Sequence, residues 1–164
     1  MILKKSPEWS RETNSAEESL ALARELGRHL RAGDWIALMG DLGSGKTVFA
    51  RGLAEGLNIE DVPTSPTFAI VQTHRPRKNH GSATLRHVDL YRLSPAEVPG
   101  LEWEELHDDT GVTVVEWAEK AKFLWPAQCL PVRLSHKGAD RRQIEFYVCG
   151  PRSGEIVKRL KGKK

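Results

Sequence analysis

One stretch limits what this chain can fold into more than any other. Trp35-Ile-Ala-Leu-Met39 is followed at once by Gly40-Asp-Leu-Gly-Ser-Gly-Lys-Thr47, and then by an amphipathic run to about Leu57. A short, unbroken apolar segment is the pattern of a strand buried on both faces. The predicted order is strand, glycine-rich turn, helix, with the helix over about Lys46 to Leu57. Gly40-x-x-x-x-Gly45-Lys46-Thr47 meets the full phosphate-loop pattern, in the structural context that the pattern requires.

The residue types in that loop suit an anion. Glycines let the backbone wrap closely and turn its N–H groups inward. The following helix offers the positive end of its dipole. The expected nucleotide contacts are therefore Asp41, Leu42, Gly43, Ser44, Gly45, Lys46, Thr47 and Val48. Lys46 would meet the β and γ phosphates, and the Thr47 hydroxyl could coordinate Mg²⁺.

The rest of the chain reads as helices alternating with apolar strands. Ser15-Ala-Glu-Glu18 has capping-box form, and Leu22, Leu26 and Leu30 recur at helical spacing, predicting a helix from about Ala16 to Arg31. Phe68–Thr73 and Ala83–Tyr91 read as strands around a polar, basic turn, His74–Ser82. Ser94 to Asp109 reads as a short helix plus loop, and Val112 to Glu116 as a buried strand. Ala118 to Trp125 reads as a short helix stopped at Pro126. Leu130–Ser135 and Gln143–Cys149 read as a closing hairpin. The expected fold is a three-layer α/β P-loop NTPase domain. Its mixed sheet has parallel core strands and a late antiparallel hairpin, flanked by helices.

Composition narrows the class. Of 164 residues, 39% are hydrophobic and 29% charged, an ordinary globular balance that suits one domain. No apolar run approaches the ~20 residues of a membrane span. The start, MILKKSPEWSRE, lacks a signal-peptide core, so the expected location is the cytoplasm. Cys129 and Cys149 have no metal or redox spacing, and the six histidines show no zinc spacing. From Val132 to Lys164 there are ten Lys or Arg and three Asp or Glu, a local charge of +7, whereas no Lys or Arg occurs between Ser94 and Glu119. The expected organisation is one ATPase domain over 1–150 and a solvated basic tail over 151–164, with nucleic-acid or partner contact as the other reading of that basic end.

Hydrolysis also needs an acid near the metal. Glu116 ends one apolar strand and Asp89 another, and ligands of open parallel sheets sit beyond the carboxyl ends of strands. Glu116 could bind Mg²⁺ directly or through water, or orient the attacking water. Asp89 could act beside it or pair with Arg92. Trp117 could stack on a base or simply pack. Pro63-Thr-Ser-Pro-Thr67 is either a γ-phosphate switch loop or an ordinary proline-containing loop.

Together GDLGSGKT, SPTF, HVDLYRL and VVEWAE, in that order, resemble the TsaE (YjeE) family over roughly Ser15 to Ile144. That family comprises small P-loop ATPases of bacterial tRNA threonylcarbamoyladenosine synthesis. The resemblance implies ATP and Mg²⁺ as cofactors. It implies a TsaB–TsaD heterodimer as partner, with tRNA met indirectly through that complex. ATP turnover would serve to reset the complex and would be slow without it. By matching position, Lys46 and Thr47 would hold phosphate and Mg²⁺, and Glu116 would be the metal-linked acid. Asp89 would be a second acid, and Thr67 the switch threonine. Ser19 and Arg142 would touch nucleotide, and Trp117 the base or the partner. The basic RPRKNHG segment, Pro95, Pro99 and the end after Gly150 depart from the family pattern. The absence of an Asn-Lys-x-Asp stretch favours ATP over GTP. The competing function is a small P-loop kinase, which would need an arginine-rich lid and an acceptor pocket.

Overall fold

The computed structural model describes residues 6–60, 69–77 and 83–162. Its framework is one sheet of seven strands: β1 (Trp9–Thr13), β2 (Trp35–Met39), β3 (Val71–His74), β4 (Thr84–Asp89), β5 (Gly111–Glu116), β6 (Leu130–His136) and β7 (Arg142–Phe146). They lie in the order β1-β7-β6-β2-β5-β4-β3. β4, β5, β2 and β6 are mutually parallel, while β3, β7 and β1 join antiparallel toward the two edges. The P-loop class and the mixed sheet expected from the pattern are what the chain forms.

Alternation along the strands builds two cores. Ile36, Leu38, Leu85, Val112 and Val114 face one side, beneath the helices α1 (Ala16–Gly27), α2 (Lys46–Gly56) and α4 (Pro151–Lys161). Trp35, Ala37, Met39, Val88 and Val115 face the other, covered by the short helix α3 (Trp103–Leu106) and by 3₁₀ turns at Val98–Gly100 and Ala118–Leu124. Both faces of β2 are thus buried, which explains its unbroken apolar run.

α1 starts where the sequence places it. The Ser15 hydroxyl accepts from the Glu18 N–H at 3.1 Å, and the Glu18 carboxylate reaches back to the Asn14 N–H at 2.9 Å. The helix ends at Gly27 rather than near Arg31. α1 and α2 lie unusually close. A Cβ built at Gly52 would stand 2.6 Å from the Ala23 Cβ, so glycine there sets the crossing distance.

The structure adds to the sequence pattern at three places. In place of the solvated tail expected over 151–164, Pro151–Lys161 is helix α4, with Ile156, Val157 and Leu160 buried in the α1–α2 core. Lys158, Arg159 and Lys161 line its outer side and conceal the apolar positions in a charge count. Arg152 fixes it further: its guanidinium donates to both Asp34 carboxylate oxygens, at 2.8 and 2.6 Å, and to the His29 carbonyl at 2.8 Å. The expected short helix before Pro126 forms over 118–124 as a 3₁₀ segment, kinked at the non-helical Ala121. β1, with only Thr13 fully buried, has no strong apolar alternation and is not apparent from sequence. Register with β7, together with Trp9 stacked on Phe146 at 5.1 Å, makes it a strand.

Candidate nucleotide site

The parallel strands bring their carboxyl ends to one edge. There β2 runs into the glycine loop, β5 ends at Glu116 and β4 ends at Asp89. Glu116 stands opposite Leu38 of β2 on one side and Asp89 of β4 on the other. Beyond them opens a cleft of about 630 Å³, lined by Leu42, Gly43, Gly45, Lys46, Thr47 and Val48 of the loop, with Asp89, Tyr91, Glu116 and Trp117 across from them.

The loop turns as its glycines require. Gly40, Gly43 and Gly45 have φ of 135°, 76° and 100°. Gly45 is the N-cap of α2, and no side chain caps that helix. The first-turn N–H groups of a helix have no intrahelical acceptor, so this end of α2 suits an anion. Ser44 is buried, and its N–H donates to the Asp41 carbonyl at 3.1 Å, tightening the turn. Asp41 itself flanks the loop outside the cleft, in a smaller hollow with Glu119 and Lys122.

Lys46 is 4% exposed. Its ammonium donates to the carbonyls of Gly40 at 2.6 Å and Asp41 at 2.8 Å, and lies 3.8 Å from the centre of the Trp117 indole. Burial holds its pKa below the ordinary lysine value, against the opposing pull of Glu116 and other acids. Trp117 has φ 58° and ψ 35°, a left-handed conformation that an aromatic residue adopts at a cost of about 1–3 kcal/mol. That turn lays the ring over Lys46 immediately after the strand ends.

Glu116 is 2% exposed and held at both oxygens. The Thr47 hydroxyl donates to Oε2 at 2.9 Å, and His87 Nε2 lies 2.8 Å from Oε1. Asp89 accepts from the Tyr91 N–H at 2.9 Å, and burial raises its pKa above the usual carboxylate value. Lys120 donates to the carbonyls of Leu90, Tyr91 and Leu93 at 2.7–2.9 Å, fixing the loop that follows Asp89.

Lys46, Thr47, Glu116, Asp89 and Trp117 therefore converge. Ser19 and Arg142 do not line the cleft. Both lie beside Thr13 instead: Ser19 Oγ is 2.7 Å from Thr13 Oγ1, Thr13 is the register partner of Arg142, and Arg142 Nε passes 3.9 Å from where a Gly45 Cβ would stand. Thr67 lies outside the described residues, as do Phe68 and residues 78–82 of the basic turn. Sequence reasoning passed over His87. The available signal was its place two residues before Asp89 on a strand, which puts both on one face.

The described residues include no group of three or more His, Cys, Asp or Glu able to hold a metal. A hydroxyl and one carboxylate that already touch form an all-oxygen pair. This pair fits Mg²⁺, which takes few protein ligands and completes its shell with phosphate and water.

Residues 13–144 match the family model described as "Threonylcarbamoyl adenosine biosynthesis protein TsaE". The chain belongs to the TsaE family. Among relatives, the Bacillus subtilis tRNA threonylcarbamoyladenosine biosynthesis protein TsaE is 36% identical over 148 residues, covering 90% of each chain. The TsaE protein of Mycobacterium bovis is 42% identical over 140 residues, covering 82% of this chain and 83% of its own. The crystal structure of Bacillus subtilis YdiB superposes with a TM-score of 0.77 at 32% identity, covering 98% of this chain and 97% of the other. Among the described residues, no helix of this TsaE-family chain is long and apolar enough to cross a membrane.

Proposed function

We propose that this protein is a Mg²⁺-dependent ATPase acting in the synthesis of threonylcarbamoyladenosine on tRNA. The observation that carries the reading is the contact between the Thr47 hydroxyl and the Glu116 carboxylate, placed beside Lys46 at the mouth of an uncapped helix. α2 and the loop amides bind the phosphates, and Lys46 exchanges its carbonyl contacts for phosphate oxygens. Thr47 and Glu116 would hold Mg²⁺, which when bound offsets charge on the β and γ phosphates. Asp89, one strand over from Glu116 and with a raised pKa, is placed to orient an attacking water or accept its proton. ATP is preferred to GTP on the family resemblance.

The partner would be a TsaB–TsaD heterodimer, with tRNA reached through it and the cytoplasm as setting. Leu42 and Tyr91 rim the cleft at 71% and 50% exposure, and Phe123 projects from the segment after Trp117 at 63%. Apolar side chains held out at a nucleotide mouth suit a protein that covers it. Turnover would then be slow alone, because part of the closed site comes from the partner.

The test is ATP hydrolysis with Mg²⁺ by the chain alone and with its TsaB and TsaD counterparts, with Glu116→Ala as control. Slow turnover that rises in the complex and vanishes in the variant supports the proposal. Phosphotransfer to a small added acceptor outrunning hydrolysis would replace it with the kinase reading.

A further inference from the structure

His87 is fully buried in the middle of β4, between Gln72 of β3 and Val114 of β5. Its face of the sheet is the one beneath α2. Val114 is its direct neighbour there and Glu116 its diagonal one, two residues further along β5. The diagonal reach places Nε2 at 2.8 Å from Glu116 Oε1, while Nδ1 is buried and has no hydrogen-bond partner among the described residues. A carboxylate oxygen in such a pair accepts, so Nε2 is the ring nitrogen that donates toward Glu116. With Oε1 engaged by His87, only Oε2 is turned toward α2, where the Thr47 hydroxyl meets it.

We infer that His87 is the positioning residue of the metal site, fixing the Glu116 carboxylate so that Oε2 alone is presented to Thr47 and to a Mg²⁺-bound nucleotide. This rests on the nucleotide reading above. The physical need is plain. The last torsion of a glutamate is broad and roughly two-fold, so the Thr47 hydroxyl alone, at Oε2, leaves the carboxylate plane able to turn about that contact. A second donor at Oε1 fixes the plane and keeps Oε2 on the line to Thr47. His87 never reaches the cleft, so its effect passes wholly through Glu116. Hydrogen-bond partners of this kind, one step behind a metal ligand, govern affinity for the metal.

The test separates metal from nucleotide. ADP affinity is measured by calorimetry with Mg²⁺ and with EDTA, and the ratio of the two is compared across variants. In His87→Gln the amide nitrogen stands close to where Nε2 was, and in His87→Asn it falls short, near Nδ1. Both are buried amides of similar folding demand, and His87→Leu removes the donor altogether. His87→Gln should keep the wild-type ratio. His87→Asn and His87→Leu should lower it by about 10- to 100-fold while leaving EDTA affinity unchanged. A His87→Asn protein with the wild-type ratio overturns the inference. So does a parallel loss of both affinities in Gln and Asn variants, which marks a purely structural histidine. No Mg²⁺ effect in the wild type would instead remove the metal reading itself.

Discussion

The Lys46 ammonium rests on the face of Trp117, 3.8 Å from the ring centre, while two loop carbonyls accept its hydrogen bonds. The lysine thus has a full set of local partners that a phosphate must replace. Adding ADP or ATP should draw the ammonium off the ring and change indole emission. Among the described residues, Trp117 is the tryptophan whose ring carries the Lys46 ammonium. Trp117→Phe should therefore abolish the nucleotide-dependent signal while retaining a ring for the cation. A full signal surviving in that variant would place the reporter elsewhere.

Asp89 should trade stability for function. Burial raises its pKa above the ordinary 3.8, so the folded state holds its proton more tightly than the unfolded state. Above the raised pKa the charge is a net cost to folding, and as pH falls through that value toward 3.8 the cost disappears. Asp89→Asn keeps an acceptor for the Tyr91 N–H. It should melt higher than wild type at neutral pH, lose that advantage in acid, and hydrolyse ATP poorly. Equal melting at neutral pH would contradict the buried-charge account.

The C-terminal helix should be structural. Arg152→Ala leaves Asp34, itself 6% exposed, without its guanidinium partner. Breaking one side of such a buried pair costs about 3 kcal/mol. Chemical denaturation should show that loss, and ending the chain at Gly150 should cost more, since Ile156, Val157 and Leu160 leave the core with it. An unchanged midpoint for Arg152→Ala would mean that the pair is replaced by water.

The α1–α2 crossing should be intolerant of a methyl group. In Gly52→Ala the new Cβ would meet Ala23 Cβ and the Leu20 carbonyl, both at 2.6 Å. The helices must part, at about 1–3 kcal/mol, even though alanine is the better helix former. Because α2 carries Lys46 and Thr47, nucleotide affinity should fall as well. Denaturation and calorimetry on the one variant check both.

Much of the site was legible in the chain because it is local. Gly40 to Thr47 form the loop from their own backbone preferences, Glu116 ends a strand whose apolar run is plain, and Asp89 ends the strand beside it. What was missed is held by neighbours distant in sequence. β1 is a strand because β7 lies beside it, not because WSRET favours one. α4 was hidden because its buried positions are few and its cations many. His87 looked like any other histidine until β5 brought Glu116 to its diagonal.

The sequence by itself therefore determined the P-loop unit, the alternation that makes a buried parallel sheet, and the family, since these follow from short-range periodicity and from motifs a few residues long. The tertiary structure alone decided that the carboxylate of Glu116 is shared between Thr47 and His87, that Trp117 covers Lys46, and that the basic end closes the core. Each of those is a contact between residues 29 to 123 positions apart, counting His29 with Arg152 as the farthest. Such contacts depend on which strands lie side by side, and no single segment encodes that β5 runs between β2 and β4.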